Sequence, residues 1–179
     1  MATSALIPIA EYLRSSYRPD CDYVDGEVRE RNLGEQDHTD LQSRLIELLL
    51  KTENKPYVRA NPELRVQVKA TRFRVPDVCV RARSAPSEQI VRKSPLLCIE
   101  ILSPEDTVLR TRERVLDFLE MGVPEVWILD PERRSVTVCA GLTMVEHTHG
   151  TLSIPKTPVE LGIADIFIAL DDYDSNSGE

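Results

Sequence analysis

The sequence predicts a mixed α/β fold in a single domain, and two features carry that reading. Two strongly apolar strand-like runs, 96–102 and 125–131, flank a helical stretch at 105–121. That order is a βαβ crossover, whose strands lie parallel and are covered on both faces. Ahead of it, segments 57–61, 63–69 and 73–82 read as an antiparallel meander. The chain has 179 residues, enough to bury a sizeable core unaided. No internal repeat or linker divides it, so 1–170 is read as one domain. The end, 171–179, carries four acids and no base, the composition of a disordered solvated tail.

Taken in order, residues 7–16 form a short helix, and "CDYVDGEVRER" (21–31) forms a hairpin. Asp25-Gly26 supplies the positive φ angles that its tight turn requires. Helix 37–54 follows, capped by Asp37, with Leu41, Leu45, Leu48 and Leu49 making one apolar stripe. In 63–69, Leu64, Val66 and Val68 alternate with Arg65, Gln67 and Lys69. Pro76 cannot donate to a ladder, so strand 73–82 is bulged or open at that point. After the run 96–102, Ser103 is placed to cap helix 105–121, with Pro104 at its first position and Gly122 as its stop. Residues 135–155 read as hairpin strands turning at Ala140-Gly141 and near Gly150, and 162–167 as a last helical turn.

The opening segment has no basic stretch, and Pro8 and Glu11 interrupt its apolar run, so it is not read as a signal peptide. The cysteines, Cys21, Cys79, Cys98 and Cys139, are scattered. Three lie in apolar runs, which predicts small buried side chains in a reducing cytoplasm rather than a zinc or disulfide framework. A net charge of −8 argues against non-specific polyanion binding over the whole surface. Residues 64–95, however, carry eight Lys or Arg against Asp77 and Glu88. That surplus is either a solvated strand face or, if a reactive site lies on the same strands, part of a nucleic-acid surface. No Gly-rich phosphate loop, G-x-S-x-G or H-E-x-x-H is present.

Two acids break the apolar pattern. Within 96–102, Leu96, Cys98, Glu100 and Leu102 share one face and Leu97, Ile99 and Ile101 the other, so Glu100 points into a covered layer. Asp77 does the same one strand earlier, on the face of Phe73, Val75 and Cys79. Neighbouring carboxylates repel unless a cation lies between them. A divalent cation such as Mg²⁺ answers that need. So does pairing with a nearby arginine.

Asp77 in "VPDVCV", Glu100 in "LLCIEILSPED", "MGVPEVWILDP", "DYVDGEV" and His38 at the start of the long helix together resemble the Uma-two family. That bacterial family, described as "putative restriction endonucleases", lies within the PD-(D/E)XK nuclease superfamily, and the resemblance covers roughly residues 6–170. It implies a restriction-endonuclease-like core and metal-dependent hydrolysis of phosphodiesters in nucleic acid, DNA above all. Asp77 matches the PD aspartate and Glu100 the second acid. Both would bind Mg²⁺ (or Mn²⁺) together with the main-chain carbonyl of Ile101. Asp22 falls where the family has an acid, usually glutamate, either as a further metal ligand or just behind one. His38 either reaches the same cavity or is a surface residue.

The chain departs from the pattern at Leu102, where the motif's lysine would stand. The equivalent position on the following helix is Arg114. Arginine can stabilise charge on a phosphate but stays protonated and cannot act as a base. Arg114 therefore either serves the phosphate or neutralises Glu100 directly. The second case gives a catalytically weak or inactive member of the same fold, acting as a nucleic-acid- or protein-binding module. Cleaving duplex DNA ordinarily takes a dimer, and the hairpin at 135–155 offers an interface for a homodimer or higher homo-oligomer.

Overall fold

The segment 73–82 forms two strands rather than one. Pro76 has no amide hydrogen, pairing stops beside it, and the two halves join different sheets. In the computed structural model, which describes residues 6–31 and 35–171, the first elements are α1 (Ile9–Arg14), β1 (Asp22–Val24), β2 (Glu27–Arg29), α2 (Gln36–Leu49), β3 (Val58–Pro62), β4 (Val66–Lys69), β5 (Arg72–Arg74) and β6 (Val78–Ala82). They are followed by β7 (Leu97–Ile101), α3 (Val108–Met121), β8 (Glu125–Asp130), β9 (Ser135–Ala140), β10 (Thr143–His147), β11 (Thr151–Ser153), β12 (Glu160–Gly162) and α4 (Ile163–Phe167). From residue 172 onward the predicted acidic tail lies outside the described residues.

The larger sheet has six strands in the order β10-β9-β8-β7-β6-β3. Its one parallel pair is β7–β8, the predicted crossover around α3. The smaller sheet, β2-β1-β5-β4, is antiparallel throughout. A two-stranded ribbon, β11-β12, completes the strands among the described residues. The single sheet that the meander pattern implies is therefore divided, because the chain crosses from one sheet to the other at Val75-Pro76-Asp77.

The parallel pair separates two apolar layers. Leu97, Ile99 and Ile101 of β7 join Trp127 and Leu129 of β8 under the leucine stripe of α2. On the opposite face Cys98, Val126 and Ile128 pack with Val115 and Phe118 of α3 and with Val66 and Val68 of β4. Alternation then places Glu100 on the α3 side, with Cys98. All four cysteines are free and buried, as their sequence context predicts.

Local signals mostly hold, with shifts at the helix starts. Asp25 (φ 51°) and Gly26 (φ 104°) form the hairpin turn, and Gly122 (φ 96°) ends α3 in the left-handed region. Ser103 does not cap α3. Its amide and hydroxyl both donate to the Asp106 carboxylate at 2.9 and 3.0 Å, closing a turn of their own. Such a local bond competes with helix initiation, and α3 begins instead behind Thr107, whose hydroxyl accepts from the Arg110 amide at 3.3 Å. Asp37 lies within the first turn of α2 rather than at its cap; there its charge still favours the helix N-terminus.

Candidate functional site

The break at Pro76 is pinned by Asp22 at the start of β1. Its Oδ1 accepts the Val75 amide at 2.8 Å and its Oδ2 accepts from Arg74 at 3.0 Å. The chain is thus held in an open bend, and Asp77 leaves it as a buried carboxylate between the two sheets. Asp77 Oδ2 accepts the Ile101 amide at 2.7 Å and lies 3.3 Å from His38 Nε2. Its Oδ1 accepts from Arg31, and its carbonyl accepts from Gln42 at 2.9 Å. The amide of the residue after Glu100 therefore ties the two acids together through the backbone.

Glu100 is 5% exposed. Its Oε2 accepts from Arg114 Nη2 at 2.5 Å, while Oε1 is buried with no hydrogen-bond partner. Arg114 also donates to the Val75 carbonyl at 3.1 Å, so α3 clamps the same bend that Asp22 holds from β1. Three buried acids thus face three arginines: Asp77 meets Arg31, Glu100 meets Arg114, and Asp22 meets Arg74. Behind them Arg74 donates to Asp117 Oδ2 at 2.6 and 2.8 Å, and Arg72 and Lys69 reach Asp117 Oδ1 at 3.1 and 3.2 Å.

Burial, reinforced by the charge of Asp77, pushes the Glu100 carboxyl up to about 8 although Arg114 pulls the other way. Burial also works on Asp77, but the His38 hydrogen bond and the charges of Arg31 and Arg114 outweigh it and hold that carboxyl below its usual value. The two contributions to stability therefore have opposite signs. Asp77 contributes stability above its ordinary 3.8, and that contribution disappears as pH falls through its lowered value. Glu100 keeps its proton in the folded state after the unfolded chain has lost it, so its contribution declines between its ordinary 4.5 and about 8. Melting temperatures recorded from pH 5 to 8.5 are expected to show this decline, and Glu100→Gln to flatten it. An unchanged profile in the variant would assign the decline to another group.

The structure brings together Asp22, His38, Asp77, Glu100, the Ile101 backbone and Arg114, all of them singled out in the sequence. Leu102 packs partly buried against the α3 layer and offers no charge. Sequence reasoning missed Arg31, Arg74, Gln42 and Asp117. Two signals were available: Arg29 and Arg31 share one side of the alternating "EVRER", and Asp117 interrupts the apolar face of α3 one turn beyond Arg114.

The basic surplus in 64–95 divides: five of its eight residues are engaged by other groups of the protein, while Arg83, Arg92 and Lys93 lie on the exposed surface. Arg65 pairs with Asp20 at 2.5 Å, Lys69 with Glu120 at 2.7 Å, and Arg72 with Asp25 at 2.6 Å. Arg74 is buried among acids, and Arg81 is turned onto Asn61 and the Pro86 carbonyl.

Two clefts flank the cluster. One is lined by five arginines (Arg29, Arg31, Arg74, Arg110 and Arg114) and four acids (Asp22, Glu30, Asp106 and Glu113). The other, about 330 Å³, reaches His38 and Leu102 and is edged by Glu35, Asp37, Asp130 and Glu132. Among the described residues no group of three or more His, Cys, Asp or Glu side chains is arranged to hold a metal, and no helix is long and apolar enough to cross a membrane. The donors that are present suit a hard cation with few protein ligands. Mg²⁺ is commonly held by one or two carboxylates with water completing the shell, and Glu100 Oε1 is a buried oxygen without a partner.

Among curated proteins none matches the chain. Among solved structures it is similar to one titled a "putative nuclease belonging to DUF820" from Anabaena variabilis ATCC 29413, at 23% identity and a TM-score of 0.78, covering 91% of this chain and 99% of that one. The likeness establishes that the two chains share one mixed α/β fold. Residues 9–163 match the profile of the Uma2 (Uma-two) family, described as "Putative restriction endonuclease". That match spans far more than half of the sequence and includes both apolar strands, the bend at Pro76 and the helix between, so the chain belongs to the Uma2 family.

Proposed function

We propose that the protein is a Mg²⁺- or Mn²⁺-dependent phosphodiesterase acting on nucleic acid, DNA first, with Asp77 and Glu100 as its metal-binding acids. The observation that carries this is Glu100: a buried carboxylate beside Asp77, with one oxygen unpartnered, in a family of nuclease type. The Ile101 carbonyl and Asp22 are the further donors in this reading. A bound divalent cation supplies polarisation of the phosphodiester and acidification of a water.

The protein's own groups do the rest. Arg114 stays protonated and meets the negative charge of the phosphate. It holds the Val75 carbonyl, so its guanidinium is oriented before substrate arrives. His38 rests against Asp77 Oδ2 and is placed to hold or pass a proton beside the acids. A homodimer in the cytoplasm is the assembly that reaches both strands of a duplex.

One observation favours a second reading, a non-catalytic binding module. Arg31 and Arg114 already occupy one carboxyl oxygen of each acid. Titration calorimetry with Mg²⁺ and Mn²⁺, run beside nicking of supercoiled plasmid, separates the two. Saturable divalent binding with metal-dependent nicking supports the phosphodiesterase. The absence of divalent binding to the wild-type protein overturns it in favour of the module.

A further inference from the structure

The cleft between the β1–β2 hairpin and α3 has features that the pairing of acids with arginines leaves unexplained. Arg31 and Arg114 both line it, with side chains 7% and 16% exposed, and each keeps a buried Nε with no hydrogen-bond partner. A guanidinium with a buried donor and no acceptor is an unfilled half of an oxyanion site. Arg110, one turn before Arg114 on α3, is exposed and has no ion pair among the described residues.

Four acids, Asp22, Glu30, Asp106 and Glu113, line this cleft beside five arginines, and three of the four are engaged by other groups. Asp22 is taken by Arg74 and the Val75 amide, with Arg114 Nε 3.9 Å from it. Glu113 is taken by Arg29 at 2.7 Å and Arg74 at 3.4 Å, and Asp106 by Ser103, while Glu30 stands exposed at the rim. Across the cluster, the cleft at His38 is edged with carboxylates and repels a polyanion. With five arginines against four acids, the cleft at α3 is therefore the side that favours an approaching strand of negative charge.

We propose that this cleft is an anion subsite for a phosphodiester group of a nucleic-acid backbone, held by Arg31, Arg110 and Arg114. The inference deepens the proposed function and rests on it only for the source of the phosphate. Two non-bridging oxygens sharing one charge match the paired N–H groups of a guanidinium. Inorganic phosphate presents the same oxygens, so the experiment must separate the two sources.

The measurement is fluorescence anisotropy of a labelled single-stranded decanucleotide with the full chain in EDTA, where no divalent cation contributes. Binding is expected to weaken with salt. Arg110→Ala lowers affinity about tenfold at low salt and reduces the log–log salt slope by about one. Arg31→Gln has the same effect, and Arg83→Ala, at an exposed position away from the cleft, has none. A strand with neutral methylphosphonate linkages is expected not to bind, and inorganic phosphate not to displace the natural strand at matched phosphate concentration.

A wild-type salt slope in Arg110→Ala, or equal binding of the neutral strand, overturns the proposal. Displacement by matched inorganic phosphate also overturns it, in favour of a free-anion site. Arg110 is exposed, so its replacement leaves the core intact and the result stands even if Arg31→Gln does not fold. Because the assay contains no divalent cation, wild-type protein that binds the strand but never nicks DNA would retain this subsite and lose only the proposed activity.

Discussion

Glu100→Gln is expected to remove divalent binding and metal-dependent nicking together, with nicking falling by at least about 10³-fold, or about 4 kcal/mol of barrier. The substitution is informative because it disturbs the fold little. With its carboxyl raised to about 8, Glu100 is largely protonated at neutral pH in the absence of a cation. A neutral amide of the same shape reproduces that form, and Arg114 keeps its bond to the Val75 carbonyl. What the variant cannot supply is the carboxylate that a cation would recruit. Calorimetry with Mn²⁺, plasmid nicking and circular dichroism on one preparation check all three parts. Nicking at wild-type rate in Glu100→Gln would remove Glu100 from the reaction.

The second large effect lies behind the site. Asp117→Ala is expected to cost about 3–5 kcal/mol of stability, because it strips the counter-ion from buried cations. Arg74, 2% exposed, loses its two bonds to Asp117 and keeps Asp22 at 3.0 Å and Glu113 at 3.4 Å. Arg72 and Lys69 lose their contacts to the same carboxylate. Urea denaturation measures the loss. Asp117→Asn, which can still accept one bond from Arg74, is expected to recover part of it. A loss below about 1 kcal/mol for the alanine variant would place the network among ion pairs that contribute little.

Much of this was legible because the signals are local. The crossover showed itself in two apolar runs around a capped helix, and the paired faces of 96–102 placed Glu100 in the layer under α3. The anomaly of one acid in each of two apolar strands located the candidate site before any geometry was known. Arg114 was legible too, as an inward-reaching residue of the following helix.

The division into two sheets was harder to foresee. Pro76 announces an interruption but not that the chain changes sheets there, which depends on the hairpin at 22–29 pairing with Arg72–Arg74 rather than joining the meander. Arg31 and Arg74 were hidden for a related reason. An arginine in an alternating strand looks the same whether it faces water or a buried carboxylate some 46 residues away in sequence, as Arg31 does. The basic surplus misled for the same cause, since composition counts charges without showing which are already paired.

The bend at Val75-Pro76-Asp77 also bears on the order in which the protein assembles. Each acid is oriented by a part of the chain remote in sequence: Asp22 by Val75, 53 residues on, and Asp77 by the Ile101 amide, 24 residues on. Closing the first loop depends on the small sheet, and closing the second on the large one. A chain with only one sheet formed has its carboxylates in water and no convergent pocket. The polar centre is thus a late product of folding, and a nascent or half-unfolded copy does not present it.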